Sequence, residues 1–341
     1  MTPISVIWVG NPFFMPALRD LAGGDFGWRV HHINPEPGVV LGWDDLVADA
    51  GFTPGIVIVA DKSTPPFVTG MENFPCLTVF YAVDTHIHSW FPHYAQGFDI
   101  CLVSLKDHIP LFGGGRLSGE AIWWSPPYAN PLDVPRPFDP SQEAWDVLFV
   151  GTVDTAVNPD RCAFFEELGT LLPNLHITRG RPCELYPQAK IVLNHAIHND
   201  LNFRVFEALG CGKCLVTPLV RHGFSDLFTN GEDLFTYDQN NVPALAALCQ
   251  ALLKTDARRE SAASSGHAKV AAGHYMRHRA ETFAARIMDL FVSGRAATMV
   301  AERRATAKTI HTKWLKLLYL HHAETAGSAS TGASYLAASK K

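Results

Sequence analysis

The chain has 341 residues, 47% of them hydrophobic and 18% charged, with a formal net charge of −5. That length suits two domains of about 150 residues each better than one core, and the composition excludes wholesale disorder. The acidic balance excludes nucleic acid as the main partner.

The dominant rhythm is a short β-branched run, a Gly/Pro/Asn loop, then an amphipathic helix. Residues 4–10, ISVIWVG, form a continuous apolar run ending in glycine, as expected of a strand buried on both faces. A helix over 15–23 follows, then strands over 28–34, 55–61, 76–84, 99–104 and 121–128. Residues 126–144 are proline-dense and aperiodic and read as a linker. A second set begins with strand 146–151, helix 161–172 and strands 175–178 and 191–196. It continues with a helix around 203–210, strands 213–219 and 234–238, helix 242–254 and a long helix through 259–292. Alternation of this kind predicts an α/β protein of two Rossmann-like domains with parallel sheets facing a cleft, followed by C-terminal helices. The expected layout is a first domain over 1–130, a linker over 131–145, a second domain over 146–292, a terminal helix over 293–326 and a disordered small-residue tail over 327–341.

Seven cysteines lie scattered in apolar runs, which suits buried free thiols of a reducing compartment rather than a disulfide framework. The N-terminus shows no basic segment with a cleavage site. No stretch reaches the roughly 20 apolar residues that cross a bilayer, so a cytoplasmic protein is expected. In helix 301–322, Ile310, Trp314, Leu317 and Leu318 fall at helical spacing among basic residues. Such a helix packs onto a domain or makes peripheral contact with a membrane surface.

In an open parallel sheet, ligands bind beyond the carboxyl ends of the strands. Three such ends carry suggestive residues. Gly151 and Thr152 close strand 146–151, where glycine allows close approach and the following helix offers free amides. Strand 191–196 leads through Asn199 and Asp200 into a helix that Asn202 or Asp200 can cap. In that helix, Arg204 supplies a planar donor fork suited to a pyrophosphate. Glu207, three residues on, can accept from a diol such as ribose. A plain Arg–Glu pair on a solvated face is the alternative, but Val205, Phe206, Ala208 and Leu209 make the helix apolar on most sides. The Cys211-Gly-Lys-Cys214 spacing allows a redox pair, yet its place between a helix end and a buried strand favours packing residues. The third end carries Asp84, His86 and His88. They can face the cleft as proton acceptor or acceptor-recognition groups, pack structurally, or bind a divalent metal. Trp90 nearby can offer a stacking face, and Asn11 after the first strand can line the same acceptor side.

The run 201–238, with Arg204, Phe206, Glu207, Ala208 and Gly212 followed by Gly231, Asp233 and Leu234, resembles the donor-binding signature of group 1, family-4-like glycosyltransferases of the GT-B fold. Within them it is most similar to the CgeB-like, spore-maturation branch; residues 149–153, 83–90 and 266–291 also resemble the family, so the similarity covers most of 1–292. The resemblance implies transfer of a sugar from a nucleotide-sugar donor to a glycan, protein or lipid-linked acceptor, with retention of configuration and no metal or other cofactor. It places the ribose hydroxyls on Glu207 and the diphosphate on Arg204 and the amides near Gly151. The family's earlier glutamate, eight positions before Glu207, is Asn199 here, with Asp200 beside it. A base at Asp84 or His86 would instead give inversion. The other readings are a metal-dependent hydrolase on Asp84, His86 and His88, and a GT-B-shaped binding module without catalysis.

Overall fold

The structure, a computed structural model, describes residues 3–21, 27–137 and 144–341. It divides into two units, 1–126 with 279–341, and 127–278. The expected boundary near residue 130 thus falls at Pro126, and the chain returns to the first unit at Arg279 rather than ending the second at 292. Residues 138–143 of the expected linker and 22–23 of the expected first helix lie outside the described residues.

In the first unit, strands β1 (Ile4–Gly10), β2 (Trp28–Ile33), β3 (Ile56–Ala60), β4 (Leu77–Ala82), β5 (Ile100–Val103) and β6 (Ile122–Trp124) form one sheet. Its order is β2-β1-β3-β4-β5-β6 and every pairing is parallel. The last strand is three residues long where eight were expected, because Pro126 and Pro127 cannot donate to a ladder. In the second unit, β7 (Trp145–Val150), β8 (Leu175–Thr178), β9 (Ala189–Leu193), β10 (Cys214–Pro218) and β11 (Phe235–Tyr237) pair in the order β11-β10-β9-β7-β8, again all parallel. Counted from its own first strand, each sheet follows the same doubly wound 2-1-3-4-5 order, which the first extends by a sixth strand. That order reverses between β1 and β3 in one unit and between β7 and β9 in the other, and a crevice opens at such a reversal beyond the strand ends. At the first reversal the backbones approach closely: a Cβ on Gly10, whose φ is +106°, would lie 2.0 Å from the Ala60 carbonyl oxygen.

The expected helix through 259–292 is two helices, Asp256–Gly273 and Met276–Val292. Between them the backbone pairs with Ala129, whose N–H donates to His274 O and whose carbonyl accepts from Met276 N, both at 2.9 Å. A ladder to a neighbouring segment has replaced two helical bonds.

The C-terminal region agrees with one expectation, a terminal helix packed on a domain, and departs from another, a disordered tail. Helices Arg295–Ala305 and Lys316–Glu324, with a π-helical turn His311–Leu315 between them, pack on the first unit. Ile310, Leu315, Leu318 and Tyr319 join its core, Trp314 packs against it, and only Leu317 of the expected apolar stripe is exposed, at 73%. The face that a membrane surface would need is therefore occupied. Arg303, 0% exposed, donates to the carbonyls of Met71, Phe74 and Cys76 and to Thr78 Oγ1, and stands 3.4 Å from Asp99 Oδ1. Such a charge is tolerable only because nearly all its donors are matched. The tail expected to be disordered forms a helix, Ala329–Ala338. Ser328 caps it by accepting from Thr331 N at 3.2 Å, and buried Tyr335 donates to Pro66 O at 2.6 Å. Cap and anchor override the small-residue composition. No helix among the described residues is long and apolar enough to cross a membrane.

Candidate functional site

In the second unit, the reversal point is built from the ends of β7 and β9. Gly151 continues the β7 ladder by donating to Thr178 O at 2.9 Å. The helix Pro159–Leu171 then starts with Asn158, whose Oδ1 accepts from Arg161 N at 2.8 Å, and with proline at its first position. That start fixes Arg161 in the first turn. Its guanidinium donates to Thr152 O at 3.0 Å and His195 O at 3.4 Å, and stands 5.6 Å from the centroid of the Phe149 ring.

The second guanidinium comes from the helix Phe203–Gly210. Arg204 Nε donates to Val150 O at 3.1 Å, and its guanidinium lies 5.8 Å from the same Phe149 ring. A Cβ on Gly151 would meet Phe149 at 2.8 Å and Arg204 Nη2 at 3.2 Å, so glycine here makes room for the arginine. The two arginines thus share one aromatic ring and three backbone carbonyls around the strand ends. Among the described residues neither has a carboxylate within ion-pair distance. Burial, and then the Arg204 charge, push Arg161 below its ordinary pKa, while Asp200 opposes the shift. Arg161 Nε has no partner among the described residues, and two like charges so placed attract an anion.

His195, at the end of β9, is buried against Phe164 and Phe165. Burial, and then Arg161 and Arg204, lower its pKa to about 4, so it is neutral near pH 7. Its Nδ1 has no partner among the described residues.

Asn202 is the N-cap of the helix Phe203–Gly210, but among the described residues its side chain makes no cap hydrogen bond. Asn194, buried at the end of β9, donates to Thr217 Oγ1 at 3.0 Å and turns its Oδ1 to Asn202 Nδ2 at 3.4 Å. Asn202 is thereby drawn back to the strand, and its side chain makes no cap to the helix. Asn199 sits in the connecting loop with φ +55°, a left-handed conformation that asparagine tolerates better than glutamate. The helix closes in a Schellman motif, Lys213 N donating to Ala208 O and Gly212 N to Leu209 O, with Gly212 at φ +67°.

Glu207 and Arg204 form no ion pair among the described residues. Burial, and then the Asp133 carboxylate, raise Glu207 to about 7, against the pull of Arg204. A carboxyl kept near its titration point without a fixed partner is available to a ligand hydroxyl. Cys211 and Cys214 are free and buried; burial raises both thiols, Cys214 to about 12, so the packing reading holds and redox reactivity does not. Asp233 of the signature plays a structural role, accepting from Thr229 N at 2.9 Å and Ser265 Oγ at 2.6 Å.

In the first unit, the reversal point gathers carboxylates. Asp61, buried at the end of β3, accepts from Ser63 N at 2.6 Å, Asp84 N at 2.7 Å and Val83 N at 3.3 Å. Burial raises its pKa, opposed by those amide bonds. Ser63, at φ +53°, donates from its hydroxyl to Asp84 Oδ2. Asn11 donates to Asp61 O at 2.8 Å. His86 and His88 follow Asp84 on the turn after β4, and Trp90 packs against His88, Phe91, Tyr94 and His322. Among the described residues no group of three or more His, Cys, Asp or Glu side chains could hold a metal ion, so the hydrolase reading of Asp84, His86 and His88 is not favoured.

Sequence reasoning placed Gly151, Thr152 and Arg204 at one site; in the fold Gly151 lies beside Arg204, and Thr152 O accepts from Arg161. It missed Arg161, whose signal is the Asn-Pro helix start three residues before it. It also missed Asp61, whose signal is an aspartate closing an otherwise apolar strand.

Residues 159–285 match the family model described as Glycosyl transferase-like. No curated protein matches the sequence. A glycosyltransferase from Rickettsia africae is 12% identical, with a TM-score of 0.59 over 85% of this chain and 99% of that one. Anabaena HepE, solved with UDP and glucose, is 14% identical, with a TM-score of 0.59 over 84% and 100%. Sucrose-phosphate synthase from Thermosynechococcus elongatus is 12% identical, with a TM-score of 0.58 over 85% and 99%. The chain has the two-domain Rossmann-like GT-B fold of these structures, and its glycosyl transferase-like segment covers most of the second unit and the first residues after it.

Proposed function

We propose that the protein is a glycosyltransferase that takes a sugar from a nucleoside diphosphate and passes it to an acceptor hydroxyl. The observation that carries the reading is the pair of guanidiniums, Arg161 and Arg204, at the reversal point of the second unit, neither in an ion pair among the described residues. A departing nucleoside diphosphate develops negative charge on its β-phosphate, and two fixed cations at helix N-termini stabilise that charge as it forms. Positive charge from the chain itself makes the transfer independent of a divalent metal. Glu207 accepts from the ribose hydroxyls, and the loop with Asn199 and Asp200 faces the sugar. Anabaena HepE, of the same fold, was solved with UDP and glucose, which supports a nucleotide-sugar donor.

On the acceptor side stand Asp84 and His86, with Asn11, His88 and Trp90 around them. The turn built on Asp61 holds Asp84 to orient the acceptor hydroxyl. Retention of configuration and membership of the CgeB-like branch rest on the block from Arg204 to Gly212. Calorimetric titration with UDP, GDP, ADP and CDP tests the reading. At least one is expected to bind with a micromolar Kd and to lose affinity in Arg204→Met. Failure of all four to bind overturns it.

A further inference from the structure

A cavity of about 460 Å3 lies in the first unit between the loops that follow β2 and β3 and the C-terminal helices. Its volume is within the ordinary range for small-molecule sites, roughly 300–1,000 Å3. We propose that this cavity is a carbohydrate-binding pocket that takes a neutral sugar ring, and that the C-terminal helices complete it.

Its walls include Pro35, Pro65 and Phe67, apolar surfaces against which the C–H face of a pyranose can pack. Prolines bring no N–H, so hydrogen bonding falls to a few side chains. Lys62 Nζ donates to Asn34 Oδ1 and Pro35 O, both at 2.7 Å; an ammonium has three donors, so one remains for a ligand. His322, 6% exposed, lines the cavity, and its Nε2 has no partner among the described residues. A buried nitrogen left unmatched is destabilising unless a ligand or water meets it. Burial, and then His321, keep the imidazole neutral by lowering its pKa to about 4. A neutral ring can both donate and accept, as sugar hydroxyls do. The remaining charges on the lining, Lys62 and Glu36, cancel, which matches an uncharged ligand.

The tail helix is fastened over this site by Tyr335 Oη to Pro66 O at 2.6 Å and Thr331 Oγ1 to Gly38 O at 2.7 Å. Thr64, also on the lining, follows Ser63, whose hydroxyl donates to Asp84. Sugar binding stands on this geometry alone; that the sugar is the acceptor rests on the transferase reading.

The test is saturation-transfer NMR on the full chain without nucleotide, using glucose, galactose, N-acetylglucosamine and sucrose, with glucose 6-phosphate and benzoate as anionic controls. At least one neutral sugar is expected to receive saturation through its ring protons. Its binding should weaken about tenfold in both His322→Phe and Lys62→Met. His322→Phe replaces the unmatched nitrogen with carbon, so a purely structural imidazole would leave sugar binding unchanged at an equal or higher Tm. Lys62→Met is the second probe should the first variant fail to fold. Binding of no neutral sugar, binding of the anions alone, or unaltered binding in the folded variants overturns the proposal. Because nucleotide is absent, a negative result leaves the donor reading of the second unit untouched, and a nucleotide result leaves this one untouched.

Discussion

The two units share one strand order, yet their reversal points carry opposite charge. Beyond β7 and β9 stand Arg161 and Arg204 with a neutral His195 between strand and helix. Beyond β3 and its neighbour β4 stand Asp61 and Asp84, tied together through Ser63 and backbone amides. The same topology thus gathers two guanidiniums in one half and makes an acidic, amide-organised turn in the other. The fold supplies the position and the side chains supply the chemistry.

The comparison breaks most readily at the arginines. Arg204→Met removes a charged donor, a loss of about 1.5–3 kcal/mol, so nucleoside diphosphate affinity should fall about ten- to hundredfold by calorimetry. Asp61→Asn should leave that affinity within about twofold while lowering kcat/KM about tenfold or more, because one of its two amide-accepting oxygens becomes a donor. A shared loss of nucleotide affinity would show that the division of labour is wrong. Gly151→Ala is a gentler probe: its methyl would press on Phe149 and Arg204 Nη2. About a tenfold loss of affinity is expected, with Tm lowered because Phe149 is in the core.

Glu207 sharpens the contrast through pH. Its carboxyl rises from an ordinary 4.5 to about 7 in the fold, chiefly by burial. Between those values the folded chain binds more protons than the unfolded one, so unliganded stability falls as pH rises through that window and is lowest above it. Glu207→Gln lacks the slope and should be more stable than wild type above pH 7, on the order of 1–2 kcal/mol by thermal denaturation. It should also bind nucleotide more weakly, as expected of a group held at a cost for its ligand. The smallest effect belongs to the cysteine pair. Cys211→Ala and Cys214→Ala should change activity less than twofold, with or without dithiothreitol, since both thiols are buried and protonated.

Much of this could be read from the residues in order. The strands are continuous apolar runs because both faces of a parallel sheet are covered, so ISVIWVG and its counterparts were visible at once. Arg204 and Glu207 stood out as charges in an otherwise apolar helix. Arg161 did not, because it sits in an ordinary polar helix start and gains its meaning only when β7 and β9 pair. Asp61 was hidden likewise: its partners are amides of residues 63, 83 and 84, which carry no side-chain signature. The tail misled by composition, since one cap at Ser328 and one anchor at Tyr335 decide its state.

The central claim is that Arg161 and Arg204 together hold the diphosphate. Calorimetric titration of wild type and the Arg161→Met, Arg204→Met double variant with a nucleoside diphosphate, its monophosphate and the bare nucleoside tests it most directly. Wild type should prefer the diphosphate over the monophosphate, and the double variant should lose that preference while binding the nucleoside as before. A preference that survives removal of both arginines would contradict the account.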